Sequence, residues 1–483
     1  MINKIKKIFL LNQTLSQIIF KNTSWVLMAN ILAKIFKLAL MIFIARSLGP
    51  SGFGDANYII VLSALCFSFS DIGLTMLVCR EYQANTSDIQ ELVATGWLIK
   101  ILLVMTNTII GIICILFLPF NLKIPFTIFC LMNVIDNLKQ YNIMLARANF
   151  KQEYESLCFI IETLLTSGLG IILVWSFGNI TSLAIAYLIG SMVAAIYIWL
   201  KTKKYTEPIS KANKAKLKTL LLNMLPFSLS IFLGMALTSI DTIMIKWLIG
   251  SEGVGYYHSG NKLTETILII PAIFGSSIFP FVAKFYQNSE RLLVITKKSI
   301  NVMSLIGFPI FFGGILLGDQ ILITIYSTTF SQGILTFKIL IASTFPLFLV
   351  HILNNVLLAT KHEKLCVKIS STIFVTNIIF NLILIPSFGI SGAATGTLIS
   401  RTLLLIILIY FIQKLFKDQK LFQKRTLTYL LLSIVMISIV FLGQLYFTNI
   451  ILLIGIGGLS YMIALITIQD PYIIKIKSFF SKK

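Results

Sequence analysis

Apolar runs long enough to cross a membrane follow one another through almost the whole of this 483-residue chain, separated by short polar breaks. A helix needs about 20 mostly apolar residues to cross the hydrocarbon core of a bilayer. Because 57% of the residues are hydrophobic and 12% are charged, no sizeable soluble domain is expected. The pattern predicts an all-α polytopic membrane protein with fourteen spans, at 24–45, 57–79, 92–119, 124–146, 157–177, 179–200, 219–248, 254–284, 300–318, 337–359, 369–386, 390–413, 427–447 and 449–468.

The positions of lysine and arginine test this topology, because short cytoplasmic loops retain positive charge. With the N-terminus inside, 30 of the 40 basic residues fall in predicted cytoplasmic segments, 4 lie outside and 6 lie within spans. Both termini are therefore predicted to be cytoplasmic. The same distribution accounts for the net charge of +22 without a nucleic-acid partner, since no basic domain stands apart. The outer residues are Arg46, Lys123, Lys246 and Lys338, and those within spans are Lys34, Lys37, Lys100, Lys139, Lys262 and Arg401.

The first 22 residues begin like a signal peptide, but Asn12, Gln13 and Ser16 interrupt the apolar stretch and no small-residue cleavage site follows. We expect a retained amphipathic helix on the cytoplasmic surface. Elsewhere the cysteines lack metal-type spacing and the histidines within spans are solitary. The sequence therefore predicts free thiols and no metal site.

One glycine-rich loop occurs twice, as LGPSGFG at 48–54 and as IGSEGVG at 249–255. Both copies follow the first span of a six-span block and lie on the predicted outer side. Glycine tolerates positive φ and close backbone approach, which suits a tight reversal between helices, and a hinge during transport is the functional alternative. The glycines are displaced by 201 positions: Gly49, Gly52 and Gly54 in the first loop, and Gly250, Gly253 and Gly255 in the second.

A second match relates WSFGNITSLAIAYLIG at 175–190 to PSFGISGAATGTLIS at 386–400. Since an even number of spans separates the copies, the two halves share one orientation and form a parallel repeat. We predict an N-terminal lobe at 1–200, a basic cytoplasmic linker at 201–218, and a C-terminal lobe at 219–413. Residues 414–483, with the last two spans and a cytoplasmic tail, lie outside the repeat.

Charged side chains deep in the spans are candidate functional residues, because such charges usually face a protein interior or a water-filled cavity. Asn30, Lys34 and Lys37 follow i, i+4, i+7 spacing and form one polar stripe on the first span. Fixed cations of this kind suit a lipid pyrophosphate, as does the planar fork of Arg401. A buried ion pair is the alternative, and Lys262 has an acid at i+3.

Carboxylates within the spans are candidate sites for H⁺ or Na⁺. Desolvation favours their protonated form, so they could load and release an ion as access alternates. Alternatively they neutralise the intramembrane cations, since with Glu162 there are five acids and six bases. The four candidate coupling acids are Asp71, Asp136, Asp241 and Glu265.

Four segments, taken in order, resemble one family: ARSLGPSGFGDANYI, DTIMIKWLIGSEGVGYYHSGNKLTE, IYSTTFSQGILTFKIL and NLILIPSFGISGAATGTLIS. They are similar to the polysaccharide repeat-unit (O-antigen type) flippases of the multidrug/oligosaccharidyl-lipid/polysaccharide (MOP) exporter superfamily. The resemblance covers nearly the whole chain. One departure is Ser327, where the family usually has glycine.

This resemblance implies a MATE-like fold, with two six-helix lobes in a V around a central cavity and two further C-terminal helices. It also implies transfer of undecaprenyl-pyrophosphate-linked oligosaccharide, for O-antigen lipopolysaccharide or a related surface polysaccharide. The transfer would run from the cytoplasmic to the outer leaflet of the bacterial inner membrane, by alternating access. Membrane lipids, a polysaccharide polymerase and other assembly proteins are the implied partners.

Two alternatives remain at this stage. A multidrug or toxin extruder would share the fold. A membrane-embedded polysaccharide polymerase would need catalytic groups outside the membrane, but the longest outer segment, 319–336, has one acid and no His, Arg or Lys. No GxxxxGK[ST] loop occurs, so ATP hydrolysis is not expected. The protein is predicted to be a transporter and not an enzyme, and no cofactor is expected.

Overall fold

A computed structural model describes residues 15–71, 73–84, 88–208, 211–360 and 362–474. Short 3-10 turns lie at Ser68–Ser70, Lys203–Tyr205 and Thr328–Gly333. Residues 1–14 of the predicted surface helix lie outside the described ranges, and residues 15–22 continue directly into the first span. The α-helices are α1 (Leu15–Cys66), α2 (Leu74–Gln83), α3 (Ile89–Phe117), α4 (Phe120–Ala148), α5 (Gln152–Phe177), α6 (Ile180–Thr202), α7 (Lys214–Leu248), α8 (Ser251–Ile267), α9 (Ile269–Lys284), α10 (Ser289–Tyr326), α11 (Ile334–Ala342), α12 (Thr344–Ala359), α13 (Glu363–Leu415), α14 (Lys424–Gln444) and α15 (Ile450–Thr467).

Helices cover all fourteen predicted spans, which confirms the all-α polytopic fold. Ten described segments are long and apolar enough to cross a membrane, and two of these, Met28–Ser70 and Lys364–Leu415, each hold two predicted spans. The remaining two predicted spans are formed by α4 and α7. The number of helices therefore differs from the number of spans only because some spans are joined and others are broken.

Glycines at positive φ make the two joined helices turn. Gly49 has φ 67 within α1, and Gly389 has φ 60 within α13. Gly178, 211 positions before Gly389, ends α5 with φ 59. The second sequence match therefore places a glycine at positive φ in both copies, which glycine adopts at little cost, although ψ differs, at 28° for Gly178 and −141° for Gly389.

The chain divides into two compact units, Met1–Gly255 and Tyr256–Lys483. In the first unit, α2, α3, α4 and the start of α7 share an apolar core that includes Leu74, Tyr141 and Met224. The Tyr141 hydroxyl donates to the Val93 carbonyl at 2.8 Å, so a large buried ring keeps its polar atom bonded. The sequence-based lobes at 1–200 and 219–413 remain a prediction.

In the second unit, α14 and α15 pack against α10. Tyr429, Met436 and Tyr461 form their common core, and the Tyr461 hydroxyl donates to the Leu305 carbonyl of α10 at 3.0 Å. The two helices outside the sequence repeat are therefore an integral part of this unit.

Candidate functional site

Equivalent glycines in the two copies of the loop have equivalent roles. Gly49 and Gly250 both adopt positive φ, 67° and 111°, and let the chain reverse. Gly52 and Gly253 pack against the side chain four residues earlier, where an added Cβ would come within 2.7 Å. Two of the three glycine pairs thus serve the turn of their own hairpin.

The third glycine pair joins the two loops to each other. A Cβ on Gly54 would lie 1.8 Å from the Ser251 carbonyl oxygen, and one on Gly255 would lie 2.0 Å from that of Pro50. Since Pro50 and Ser251 are also 201 positions apart, the contact is reciprocal. The loop occurs twice because each copy packs against the other, backbone to backbone.

An ion pair that the sequence analysis missed lies beside this contact. The Lys246 ammonium donates to Oδ1 of Asp55 at 2.5 Å, and the Ser251 hydroxyl donates to the same oxygen at 2.7 Å. The two charged side chains are only 15% and 13% exposed. Asp55 directly follows the first loop, but its repeat equivalent is Tyr256, so comparing the two copies could not reveal the pair.

The polar stripe of the first span lies on the surface of α1. Asn30, Lys34 and Lys37 are all exposed. The packed face is formed instead by small or apolar residues such as Ala29, 1% exposed, and Leu40, 0% exposed. The structure therefore places the three predicted residues together on a face that is not buried within the protein.

A second exposed face of α1 is apolar. Ile31, Leu32 and Ile35 are 41%, 40% and 57% exposed. At about 100° per residue, Ile31 lies about 60° around the helix from Lys34, and Leu32 and Ile35 lie about 100° or more from both lysines, so the apolar face adjoins the polar stripe. Two exposed faces of opposite polarity require different surroundings, because lipid chains accept the apolar face and exclude the ammonium groups.

In the first unit, intramembrane acids pair with buried lysines. Lys100 lies 3.6 Å from Asp71, and its ammonium donates to Asn137 Oδ1 at 3.3 Å. These contacts join α3 to α4 and to the segment before α2. They support the neutralising role that the sequence left open for these acids.

Lys139 of α4 has two carboxylate partners. Its ammonium pairs with Asp136 one turn earlier and with Glu162 of α5 at 2.6 Å. The lysine side chain is 1% exposed, whereas that of Asp136 is 31% exposed. The pair with Glu162 makes Lys139 a structural link between α4 and α5. If either carboxylate were removed, the buried ammonium would keep the other as its partner.

The remaining candidate residues, two in the second unit and one in the first, lie in different surroundings. Lys262 lies 3.2 Å from Glu265 on the same helix, as the i+3 spacing predicts. Arg401, on the second half of α13, donates through Nη1 to the Ser343 hydroxyl at 2.7 Å. Asp241, in α7 of the first unit, is 4% exposed.

Comparisons with known proteins agree with this architecture. The sequence matches the family described as "Polysaccharide biosynthesis protein" over residues 19–286, and "Lipid II flippase MurJ" over residues 156–465. It is 23% identical to "Capsular polysaccharide biosynthesis protein CapF" of Staphylococcus aureus over 410 residues, which are 82% of this chain and 100% of that protein.

Solved structures show the same fold. "Lipid II flippase MurJ, inward closed conformation" has a TM-score of 0.77 at 17% identity, covering 92% of this chain and 98% of its own. The inward-facing conformation of a multidrug resistance MATE family transporter of the MOP superfamily has a TM-score of 0.68 at 15% identity, covering 80% and 94%. The predicted MATE-like fold is thereby confirmed.

Proposed function

Since this chain belongs to the polysaccharide flippases of the MOP exporter superfamily, we propose that it moves an undecaprenyl-pyrophosphate-linked oligosaccharide across the bacterial inner membrane. The oligosaccharide is the repeat unit of an O-antigen or a related surface polysaccharide. Transfer runs from the cytoplasmic to the outer leaflet, with both protein termini in the cytoplasm. A polymerase and other assembly proteins would take up the product.

The exposed polar stripe of α1 carries this proposal. Lys34 lies about 15 Å from the cytoplasmic end of its span, too deep for an ammonium to reach the headgroups easily. Lys34 and Lys37 are nevertheless exposed, next to a face that suits lipid chains. A pyrophosphate-linked lipid has matching parts, because its anionic oxygens pair with ammonium groups and its chain is apolar.

Arg401 and Lys262 are further candidate contacts for the pyrophosphate, with Asn30 for a sugar or phosphate oxygen. The Arg401 guanidinium donates to the Ser343 hydroxyl. Lys262 is paired with Glu265 on the same helix.

The glycine loops would close the outer side of the protein. Their reciprocal backbone contact and the Asp55 to Lys246 pair lie at the turn within α1 and at the end of α7, on the side predicted to face outward. Alternating access requires such a contact to separate during each cycle. The conformational freedom of Gly49 and Gly250 would then serve as the hinge.

An ion gradient is a candidate energy source, with H⁺ or Na⁺ binding at Asp71, Asp136, Asp241 or Glu265. Three of these acids already have a lysine partner. Ion binding at such a site would weaken a salt bridge, which couples the ion to a change in packing.

The test is transbilayer movement of undecaprenyl-pyrophosphate oligosaccharide in proteoliposomes. We expect the Lys34→Ala/Lys37→Ala variant to lose at least about tenfold in rate, since two charge-assisted contacts are removed. Lys364→Ala, at an exposed position on α13 that is predicted to be cytoplasmic, is the matched control and keeps the wild-type rate. Equal rates in all three proteins would mean that Lys34 and Lys37 have a structural role and do not contact the substrate. No movement by the wild type, together with efflux of a cationic drug, would favour an extruder.

A further inference from the structure

Helix α4 carries a polar surface at the middle of the membrane. Asp136 lies at the centre of the predicted span 124–146, and its side chain is 31% exposed. Asn133 and Gln140, one turn before it and one turn after it, are also partly exposed. Spacings of i+3 and i+4 place these three residues, the α4 polar face, on one side of the helix over about 10 Å. Polar groups exposed at this depth border water and not lipid, because hydrocarbon excludes a carboxylate.

The second span is broken beside this face. A 3-10 turn at Ser68–Ser70 separates α1 from α2. Asp71 follows the turn, and its side chain is 34% exposed. It is joined to α4 through Lys100, whose ammonium lies 3.6 Å from Asp71 and donates to Asn137 Oδ1 at 3.3 Å. The surface that borders water therefore carries a second carboxylate next to the α4 polar face.

The α4 polar face offers hydrogen-bonding atoms that the protein itself does not use. Lys139 contacts Oδ1 of Asp136, so the second carboxylate oxygen can accept from a ligand. Asn133 donates through Nδ2 to the Ser63 hydroxyl at 3.2 Å, and its Oδ1 is a further acceptor. Among the described residues, none forms a hydrogen bond with the side chain of Gln140, whose amide both donates and accepts. Several acceptors and one amide donor in a row suit the hydroxyl groups of a sugar.

The cations that neutralise this surface lie behind its carboxylates. The side chains of Lys100 and Lys139 are 0% and 1% exposed. Two lysines and three acids leave a net charge of −1 when all five are ionised, the acids being Asp71, Asp136 and Glu162. Arg147, further along α4, is paired with Glu155 at 2.7 Å. A ligand therefore meets oxygen atoms and an excess of negative charge, which opposes a further carboxylate or phosphate.

We propose, building on the flippase function above, that the α4 polar face selects the sugars of the repeat unit. Asn133, Asp136 and Gln140 accept hydrogen bonds from sugar hydroxyl groups, and the excess negative charge favours neutral or amino sugars over uronic acids. The pyrophosphate binds elsewhere, at the cationic stripe of α1. Of the acids named above as candidate ion sites, Asp136 is thereby assigned to the sugar.

Binding of three lipids to the protein in nanodiscs, measured by native mass spectrometry, tests this proposal. The probes are undecaprenyl pyrophosphate alone, the same lipid with a disaccharide of N-acetylglucosamine and galactose, and the same lipid with glucuronic acid in place of galactose. We expect the wild type to bind the neutral glycolipid at least about fivefold more tightly than the acidic one. Gln140→Ala should weaken binding of the neutral glycolipid about fivefold, the effect of one lost hydrogen bond, and leave binding of the bare lipid unchanged.

Two further variants separate charge from hydrogen bonding. Asp136→Asn removes one negative charge while Lys139 keeps Glu162 as its partner, so the preference for the neutral glycolipid should narrow to less than about twofold. Asn121→Ala, which removes an exposed amide from the first turn of the same helix, is the matched control. It should bind all three lipids as the wild type does.

Equal binding of the two glycolipids by the wild type would overturn the sugar site and leave the flippase proposal standing. An unchanged affinity of Gln140→Ala for the neutral glycolipid, or an equal loss for the bare lipid, would overturn it as well. If Asp136→Asn does not fold, the wild type and Gln140→Ala decide the question. If the wild type binds none of the three lipids, the flippase proposal itself fails, and the sugar site with it.

Discussion

Ser327, at the residue scale, has a backbone conformation that suits glycine better than serine. Its φ of 94° and ψ of 171° lie in a region that is costly for any residue with a Cβ. We expect Ser327→Gly to stabilise the protein by about 1 kcal/mol, although it removes the hydrogen bond between the Ser327 and Thr329 hydroxyls. Thermal unfolding in detergent measures the change. Ser331→Gly, at an exposed position in the next turn, should give no gain, and an equal gain would mean that strain at Ser327 is not the cause.

Gly54 has no space for a side chain, whereas Gly168 does. Gly54→Ala would place a Cβ 1.8 Å from the Ser251 carbonyl oxygen, so the loops must separate, and we expect a loss of more than about 3 kcal/mol. Around Gly168 of α5, no atom lies within 4 Å of an added Cβ. Gly168→Ala should therefore stabilise α5 by up to about 1 kcal/mol. Similar melting temperatures for the two variants would contradict the close loop contact.

Asp55 and Lys246 join two elements, the start of the second span and the end of α7. Because both side chains are mostly buried, we expect Asp55→Asn to cost about 2 kcal/mol, and the reversed pair Asp55→Lys/Lys246→Asp to recover part of this loss. The matched control is the more exposed pair of Lys338 and Asp319, 2.6 Å apart. There, Asp319→Asn should cost less than about 1 kcal/mol. Equal losses at both pairs would mean that burial does not set their strength.

Elements that depend on local sequence were predictable, and those that depend on distant partners were not. The bilayer fixes the length of an apolar run, so all fourteen spans were found. The pairing of Lys262 with Glu265 follows from helical spacing alone. Asp55 and Lys246, 191 residues apart, meet only in the folded chain. The break before α2 was missed because residues 57–79 read as one apolar run despite Asp71 and Gly73.

The last two helices matter at the scale of the whole molecule. Asn301 of α10 is 1% exposed, donates to Gln423 at 2.6 Å and accepts from Thr426 at 3.0 Å. A protein truncated after Leu415 loses both partners, so we expect a fall in melting temperature of several degrees. Adding Asn301→Leu to the truncated protein should recover part of the loss, because an apolar side chain needs no partner. An unchanged melting temperature after truncation would mean that these two helices do not contribute to the stability of the fold.

The reciprocal contact between the glycine loops also bears on the origin of the fold. Pro50 touches Gly255 as Ser251 touches Gly54, so a half-length chain carrying one loop would present a surface complementary to itself. Two such chains, inserted in the membrane in the same direction, could pair through it. Joining them through a linker would make the pairing independent of protein concentration. After fusion the two copies could diverge, and the Asp55 to Lys246 pair, which has no counterpart in the other copy, is the kind of asymmetry that only a fused gene can fix.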